Sequence, residues 1–152
     1  MNRRRALVGF GCLSAALLLL GCAKNREFEN WSPTVPGSHF KTIATMSGGS
    51  ERGDIRLMIQ VREALQKAAL NAVRVSGRWN TIVEALGQLC GPGADQPVDG
   101  VLVVSYNHVV LYDCETNKPA YEIQANPERG GLGLGEMTKR LIGYLQKDKR
   151  PS

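Results

Sequence analysis

The sequence has few of the residues and motifs on which most enzymes rely. Histidine occurs only twice among 152 residues, at His39 and His108. The motifs GxSxG and HExxH are absent, which excludes two common catalytic arrangements, those of serine hydrolases and zinc proteases. The acids are scattered, and Asp113 followed by Glu115 at a predicted strand end indicates turn chemistry. Since catalysis needs a constellation of groups, we expect a protein that is not an enzyme and that uses no metal or other cofactor.

Long apolar runs are also missing. The run near the start, residues 6–20, contains 15 residues without a charge. As a helix rising about 1.5 Å per residue it would span about 22 Å, which is less than the ~30 Å hydrocarbon core of a bilayer. Because Arg3, Arg4 and Arg5 precede this run, the pattern is typical of a cleaved export signal.

The end of the apolar run, Leu19-Leu20-Gly21-Cys22, resembles the lipobox of bacterial lipoproteins. In that family leucine stands three positions before the cysteine and a small residue stands directly before it. The resemblance implies that residues 1–21 are removed and that Cys22 is the lipid-attachment site, with two or three acyl chains that anchor stably. Ala23, in place of aspartate, resembles the class sorted to the outer membrane. The alternative is an ordinary secretory signal with an incidental cysteine.

Removal of the signal changes both the charge and the cysteine count. The loss of three arginines lowers the formal charge from +5 to +2, so a nucleic-acid partner is not expected. Cys12 leaves with the signal and Cys22 is acylated, so that Cys90 and Cys114 remain. They can form a disulfide in an oxidising periplasm or stay as two buried thiols. Their spacing fits neither a CxxC redox motif nor a zinc site.

The mature chain is long enough for one domain with a real core. Residues 22–38 are polar and contain Pro33, Pro36 and Gly37, a pattern typical of a linker. Residues 149–152 form a tail. Between them, residues 39–148 predict a single α/β (α+β) domain of order β-α-β-α-β-β-β-α, with a mixed sheet and helices packed on it. The predicted strands are residues 39–45, 70–75, 98–105, 108–114 and 119–125; the predicted helices follow Asp54, span 81–90 and span 134–146.

Helix ends and faces can also be predicted. Asp54 is a candidate N-cap for the first helix, and Thr81 with Glu84 has capping-box spacing for the second. In the second helix the apolar stripe is expected to contain Trp79, Val83, Leu86 and Cys90.

Two glycine-rich loops are candidate ligand sites. The first contains Gly48 and Gly49; the second contains Gly130, Gly131, Gly133 and Gly135. Neither GxxxxGK[ST] nor GxGxxG occurs in them, so no phosphate-binding or dinucleotide motif is present. We interpret both as ordinary loops, with small-ligand binding as the alternative.

The predicted domain resembles small α/β lipoprotein domains related to the curli-secretion channel subunit and to outer-membrane activators of penicillin-binding proteins. Three stretches carry the resemblance: LNAVRVSGRW at residues 70–79, VDGVLVVSY at 98–106 and HVVLYDCETNKPAYEIQ at 108–124. The chain lacks the long segments from which the channel builds its barrel and the long arm of the activators, so neither activity transfers. The resemblance implies a non-catalytic accessory, assembly or partner-binding module of the cell envelope, anchored in the membrane and facing the periplasm, with an envelope protein as its partner.

Overall fold

A computed structural model describes residues 27–49, 52–75, 77, 79–125 and 132–147. The signal, the lipid-attachment site Cys22, the loop residues Gly130 and Gly131, and the tail 149–152 lie outside the described residues. The predictions made for them therefore stay predictions. Within the described part of the chain, no helix is long and apolar enough to cross a bilayer.

Six strands form one mixed sheet on which three α-helices pack, so the predicted α+β class and element order are confirmed. The strands lie in the order β1-β6-β5-β4-β2-β3. Their bounds are β1 Phe28–Trp31, β2 Thr42–Ser47, β3 Asn71–Arg74, β4 Gly100–Ser105, β5 His108–Asp113 and β6 Lys118–Gln124. The helices are α1 Arg52–Lys67, α2 Ile82–Leu89 and α3 Leu134–Gln146, with a short 3-10 helix at Gly37–His39.

The connections explain why the sheet is mixed. β2 pairs in parallel with both β3 and β4. After β2 the helix α1, and after β3 the helix α2, returns the chain to the end of the sheet at which β2 begins. β4, β5 and β6 then form the predicted antiparallel meander. β1 joins β6 in antiparallel orientation and becomes one edge of the sheet.

The structure corrects the linker predicted for residues 22–38. Phe28–Trp31 is a strand of the sheet, and Gly37 is buried in the 3-10 helix that follows. The 3-10 helix also moves the start of β2 from residue 39 to Thr42. A four-residue strand at the edge of a sheet does not need alternating buried and exposed side chains. The polar segment therefore has no pattern that predicts a strand.

Two helix details also differ from the prediction. Asp54 is not an N-cap, because α1 begins at Arg52; the aspartate lies in the first turn, where its charge complements the helix dipole. Val83 is 75% exposed instead of lying on the inner stripe of α2. The Thr81 cap is confirmed, because its hydroxyl accepts from the Glu84 N–H at 3.2 Å; the Glu84 carboxylate accepts from the Asn80 N–H at 3.0 Å, one residue before the cap.

The two faces of the sheet have separate hydrophobic cores. α1 and α3 cover one face and form the larger core with the sheet; its fully buried members include Leu65, Leu102, Leu111, Tyr121, Ile123, Met137, Leu141 and Leu145. α2 covers part of the other face through Leu86, which packs with Ala44 and Val101. Both faces of β4 are therefore covered, as its nearly continuous apolar sequence predicts.

The carboxyl end of α1 is closed by a Schellman motif. The N–H of Leu70 donates to the Leu65 carbonyl and the N–H of Ala69 donates to the Gln66 carbonyl, both at 3.0 Å. Ala69 consequently adopts a φ of 59°, where a residue with a Cβ is strained by about 1 kcal/mol. Burial of Leu65 and Leu70 in the core holds this turn in place.

A disulfide joins Cys90, the C-cap of α2, to Cys114, directly after β5. This decides between the pairing and the two free thiols that the sequence left open. Around it the chain is closely hydrogen-bonded: one carboxylate oxygen of Asp99 accepts from the N–H groups of Lys41 and Thr42 at 2.9 and 2.7 Å. We call this end of the sheet, where β4 begins and β5 ends, the disulfide end.

Candidate functional site

A groove of about 470 Å³ lies between β1, the segment 32–37 and α3. Its size is in the range of sites that hold small molecules or single peptide side chains. Its lining includes Glu29, Trp31, Pro33, Val35, Tyr121, Arg140, Gly143, Tyr144 and Lys147.

Strand register places the groove residues on one face. Trp31 pairs with Tyr121, and Glu29 pairs with Ile123. Because side chains alternate along a strand, Glu29 and Trp31 share the face of Tyr121, on which α3 packs. Phe28 and Asn30 point to the opposite face. The sequence of β1 therefore divides its side chains between the groove and the other side of the sheet.

Glu29 is the centre of the polar contacts in the groove. The hydroxyl of Tyr121 donates to its Oε1 at 2.6 Å, and Nη1 of Arg140 donates to its Oε2 at 3.0 Å. Arg140 also contacts Glu136, one helical turn earlier, at 3.4 Å. The tyrosine is fully buried whereas the arginine is 41% exposed, so the network runs from the core to the surface.

The protonation states of Tyr121 and Arg140 are fixed near neutral pH. Burial raises the pKa of Tyr121, and its hydrogen bond to the Glu29 carboxylate raises it further. The same carboxylate raises the pKa of Arg140 through its hydrogen bond. Both groups keep their protons and act as hydrogen-bond donors.

Aromatic side chains form the wall of the groove. The Tyr144 ring stacks on Tyr121 with centroids 5.0 Å apart, and its hydroxyl donates to the Val35 carbonyl at 2.6 Å. This bond holds the segment 32–37 against α3. Gly37 allows the contact to be that close, because a Cβ there would overlap the backbone of Tyr144 and Leu145. At the rim, Trp31 is 53% exposed.

The described glycines of the two loops, Gly48, Gly49, Gly133 and Gly135, do not line this groove. The N–H of Gly48 donates to the Val104 carbonyl at 2.8 Å, and a side chain on Gly48 would meet Ser105. A side chain on Gly49 would meet Asp54, so both glycines serve close packing at the end of β2. Gly133 is the N-cap residue of α3. Gly135 lines a smaller depression of about 340 Å³ between α1 and α3.

The histidines and the candidate acids lie elsewhere. His39 Nε2 is 3.1 Å from Asp113 Oδ1, and His108 Nε2 is 2.7 Å from Glu122 Oε1. Asp113 accepts from the Thr116 hydroxyl at 2.7 Å and its N–H at 3.0 Å, which confirms the predicted turn chemistry. Within the described ranges no group of three or more His, Cys, Asp or Glu side chains is arranged to hold a metal ion.

Burial acts to raise the pKa of Asp113, but the opposing contacts prevail. Hydrogen bonds from Thr116 and Glu115 and the charge of His39 together hold its pKa below the usual 3.8. The carboxylate is ionised at neutral pH and organises the turn between β5 and β6, in which Asn117 takes a φ of 55°.

Sequence reasoning missed the groove. Its polar centre joins residues 92 and 111 positions apart, and nothing in the local sequence reports such contacts. The available signal was the presence of Phe28 and Trp31 in an otherwise polar segment.

Comparisons with known proteins do not assign a family. No protein-family model matches the chain, and no curated protein matches it. One solved structure, the PelC dodecamer from Paraburkholderia phytofirmans, matches over 80% of this chain and 94% of that chain, with 11% identity and a TM-score of 0.42. Similarity at this level assigns neither a family nor a function to this chain.

Proposed function

We propose that this protein is a non-catalytic, lipid-anchored binding module of the bacterial cell envelope, and that it holds a partner protein at the groove beside β1. The observation that carries the proposal is the groove itself, with Trp31 more than half exposed at its rim. Leu19-Leu20-Gly21-Cys22 supports the anchor. The disulfide between Cys90 and Cys114 supports an oxidising compartment such as the periplasm.

The free edge of β1 favours an extended peptide as the bound element. The N–H of Ser32 donates to the Ala120 carbonyl at 2.8 Å, and in this antiparallel register Phe28 and Asn30 are the next residues whose backbones face β6. The backbone groups of Glu29 and Trp31 therefore face outward. In the described part of the chain no other strand covers them. A peptide strand can add to such an edge and place alternate side chains beside the groove.

Site-specific photocrosslinking in intact cells tests this function. A photoreactive side chain at Lys147, which lines the groove and is exposed, should give a discrete adduct with one envelope protein. The same side chain at Val83, exposed on α2, is the control and should not give that adduct. Adducts with abundant proteins only, equal at both positions, would reject the proposal.

Two substitutions of Trp31 separate the contribution of its ring to partner binding from the contribution of its backbone N–H. Trp31→Ala removes the ring and keeps the outward N–H, while Trp31→Pro removes both without affecting a hydrogen bond to β6. We expect the alanine variant to weaken the Lys147 adduct and the proline variant to abolish it. Equal adduct yields from both variants, with unchanged melting temperatures, would show that no strand adds at this edge.

Small-ligand binding is the second candidate, favoured by the depression between α1 and α3 that Gly135 lines. Thermal-shift measurements with nucleotides, sugars and muropeptides test it. A ligand at 100 times its dissociation constant stabilises the folded protein by about 2.7 kcal/mol. The absence of any shift across the panel would remove this candidate.

A further inference from the structure

The described chain begins at Glu27, directly before β1 and five residues after the lipid-attachment site predicted at Cys22. Phe28 pairs with Gln124, Gln124 with His108, and His108 with Ser105, so these residues form one row across the sheet. We call this row and the loops beyond it the tether end; it lies opposite the disulfide end. Five peptide links separate Cys22 from Glu27. Even fully extended, they reach about 18 Å.

Exposed hydrophobic side chains are concentrated at the tether end. Phe28 is 41% exposed at the start of β1, and Tyr106 is 57% exposed in the turn between β4 and β5. Ile55, 43% exposed, lies in the first turn of α1, beside the end of β2. Together they are three of the five large hydrophobic side chains that are exposed in the described part of the chain.

The disulfide end has the opposite character. The carboxylates of Asp99 and Asp113 at this end accept hydrogen bonds from backbone N–H groups. The two ends of the sheet therefore offer different surfaces, one apolar and close to the anchor, the other polar and remote from it.

We propose that the tether end docks on the lipid bilayer, with Phe28, Tyr106 and Ile55 in the headgroup layer. This inference rests on the lipid anchor of the proposed function and goes beyond it, because it fixes which surface faces the membrane. Tyr106, which combines an apolar ring with a polar hydroxyl, is a side chain favoured at this depth of a bilayer, and Phe28 and Ile55 add apolar surface beside it. A short tether gives the tether end an effective concentration of order millimolar at the surface, so weak contacts are sufficient.

Apolar contact, and not charge, drives this docking. Arg52 and Arg56 are exposed at the same end. Three acids, Glu27, Asp54 and Glu136, lie at the same end, with Glu27 bonded to the Leu132 N–H at 2.8 Å and Glu136 paired with Arg140. The mixed charge gives no preference for anionic lipid, so zwitterionic vesicles should be bound equally well.

Docking through this end orients the whole domain. The strands then rise from the membrane and the disulfide end is farthest from it. Trp31 lies three residues along β1 from Phe28, about 10 Å higher at the usual strand rise. The groove is thus held just above the headgroups and opens sideways, where a segment of a neighbouring envelope protein can reach it.

Quenching of tryptophan by brominated lipid tests the docking. The acylated full-length protein, purified from bacterial membranes, is placed in zwitterionic phosphatidylcholine vesicles with Trp31 and Trp79 replaced by phenylalanine. A single tryptophan is then introduced by Phe28→Trp or Tyr106→Trp, with Val83→Trp as the matched exposed control on α2. We expect brominated lipid to remove most of the emission of the first two variants and little of the third.

The outcomes separate the docking from the anchor. Protein that fails to float with the vesicles refutes the lipid anchor, and with it the proposed function. Protein that floats but shows equal quenching at all three positions refutes the docking alone. Quenching that requires anionic lipid also overturns the proposal, because the contact would then be driven by charge and not by apolar side chains. Melting temperatures close to that of the unsubstituted protein confirm that each variant is folded.

Discussion

Replacing both Cys90 and Cys114 by serine removes the covalent link between α2 and the end of β5. The two cysteines are 24 positions apart, so the bond closes a loop of about 25 residues. In the chain-entropy model this loop restricts the unfolded chain enough to stabilise the fold by about 3.5 kcal/mol at 25 °C. That is a large share of the ~5–15 kcal/mol by which a domain of this kind is stable.

The measurement compares three forms of residues 23–152, a chain that has no other cysteine. Urea unfolding followed by circular dichroism gives the free energy of unfolding of the oxidised form, the reduced form and the double serine variant. The last two should agree and fall about 3.5 kcal/mol below the first, with a melting temperature lower by about 10–14 °C. Reduction of the native sequence controls for the polarity of the introduced serines.

Thiol titration of the native protein completes the assay, with no free thiol expected before reduction. The reasoning is refuted if the oxidised and reduced forms unfold at the same urea concentration. It is also refuted if the double serine variant is destabilised but the reduced form is not, because the loss would then come from serine and not from the opened loop.

Three further substitutions have expected outcomes. Ala69→Gly should raise the free energy of unfolding by about 0.5–1 kcal/mol, since glycine relieves the positive φ; a decrease would contradict the strain. The lowered pKa of Asp113 contributes stability that is complete above its unfolded pKa near 3.8 and is lost as the pH falls through its lower folded pKa. The free energy of unfolding should therefore fall more steeply below about pH 4 in the unsubstituted protein than in Asp113→Asn. Parallel curves would exclude that contribution. Tyr121→Phe and Glu29→Ala should show a coupling of about 1–2 kcal/mol in a double-mutant cycle, and additive effects would mean that their hydrogen bond contributes nothing.

Elements with strong local signals could be predicted from the sequence. The bounds of α3, Leu134–Gln146, agree with the helical spacing of its apolar residues. The start of α2 after Thr81 follows from the capping box. The meander of β4, β5 and β6 follows from apolar runs separated by turn residues, with the turn after Asp113 set by its own side chain.

Elements that depend on distant contacts could not be predicted. β1 is a strand because β6, more than eighty residues later, offers it an edge, and its four residues have no periodicity of their own. The groove depends on the same pairing, since Glu29 meets Tyr121 only when the two strands are in register. The helical spacing of α2 predicted that Val83 and Leu86 both face the core. In the structure the buried residues of this helix are Ala85 and Leu86.

The pairing of β1 has a consequence for how far the domain can reach. β1 is four residues long, has one neighbour in the described part of the chain, and begins at the pair Phe28 with Gln124, six residues after the predicted lipid-attachment site Cys22. In the proposed docked orientation the strands rise from the membrane, so a pull on the anchor acts along β1 and loads its four pairs together, in shear, before it reaches the core around Leu141. Because a paired strand already rises about 3.4 Å per residue, its release adds almost no length to the tether. With the proposed lipid anchor, β1 is then a stiff attachment, and its pairing fixes the height at which the domain works.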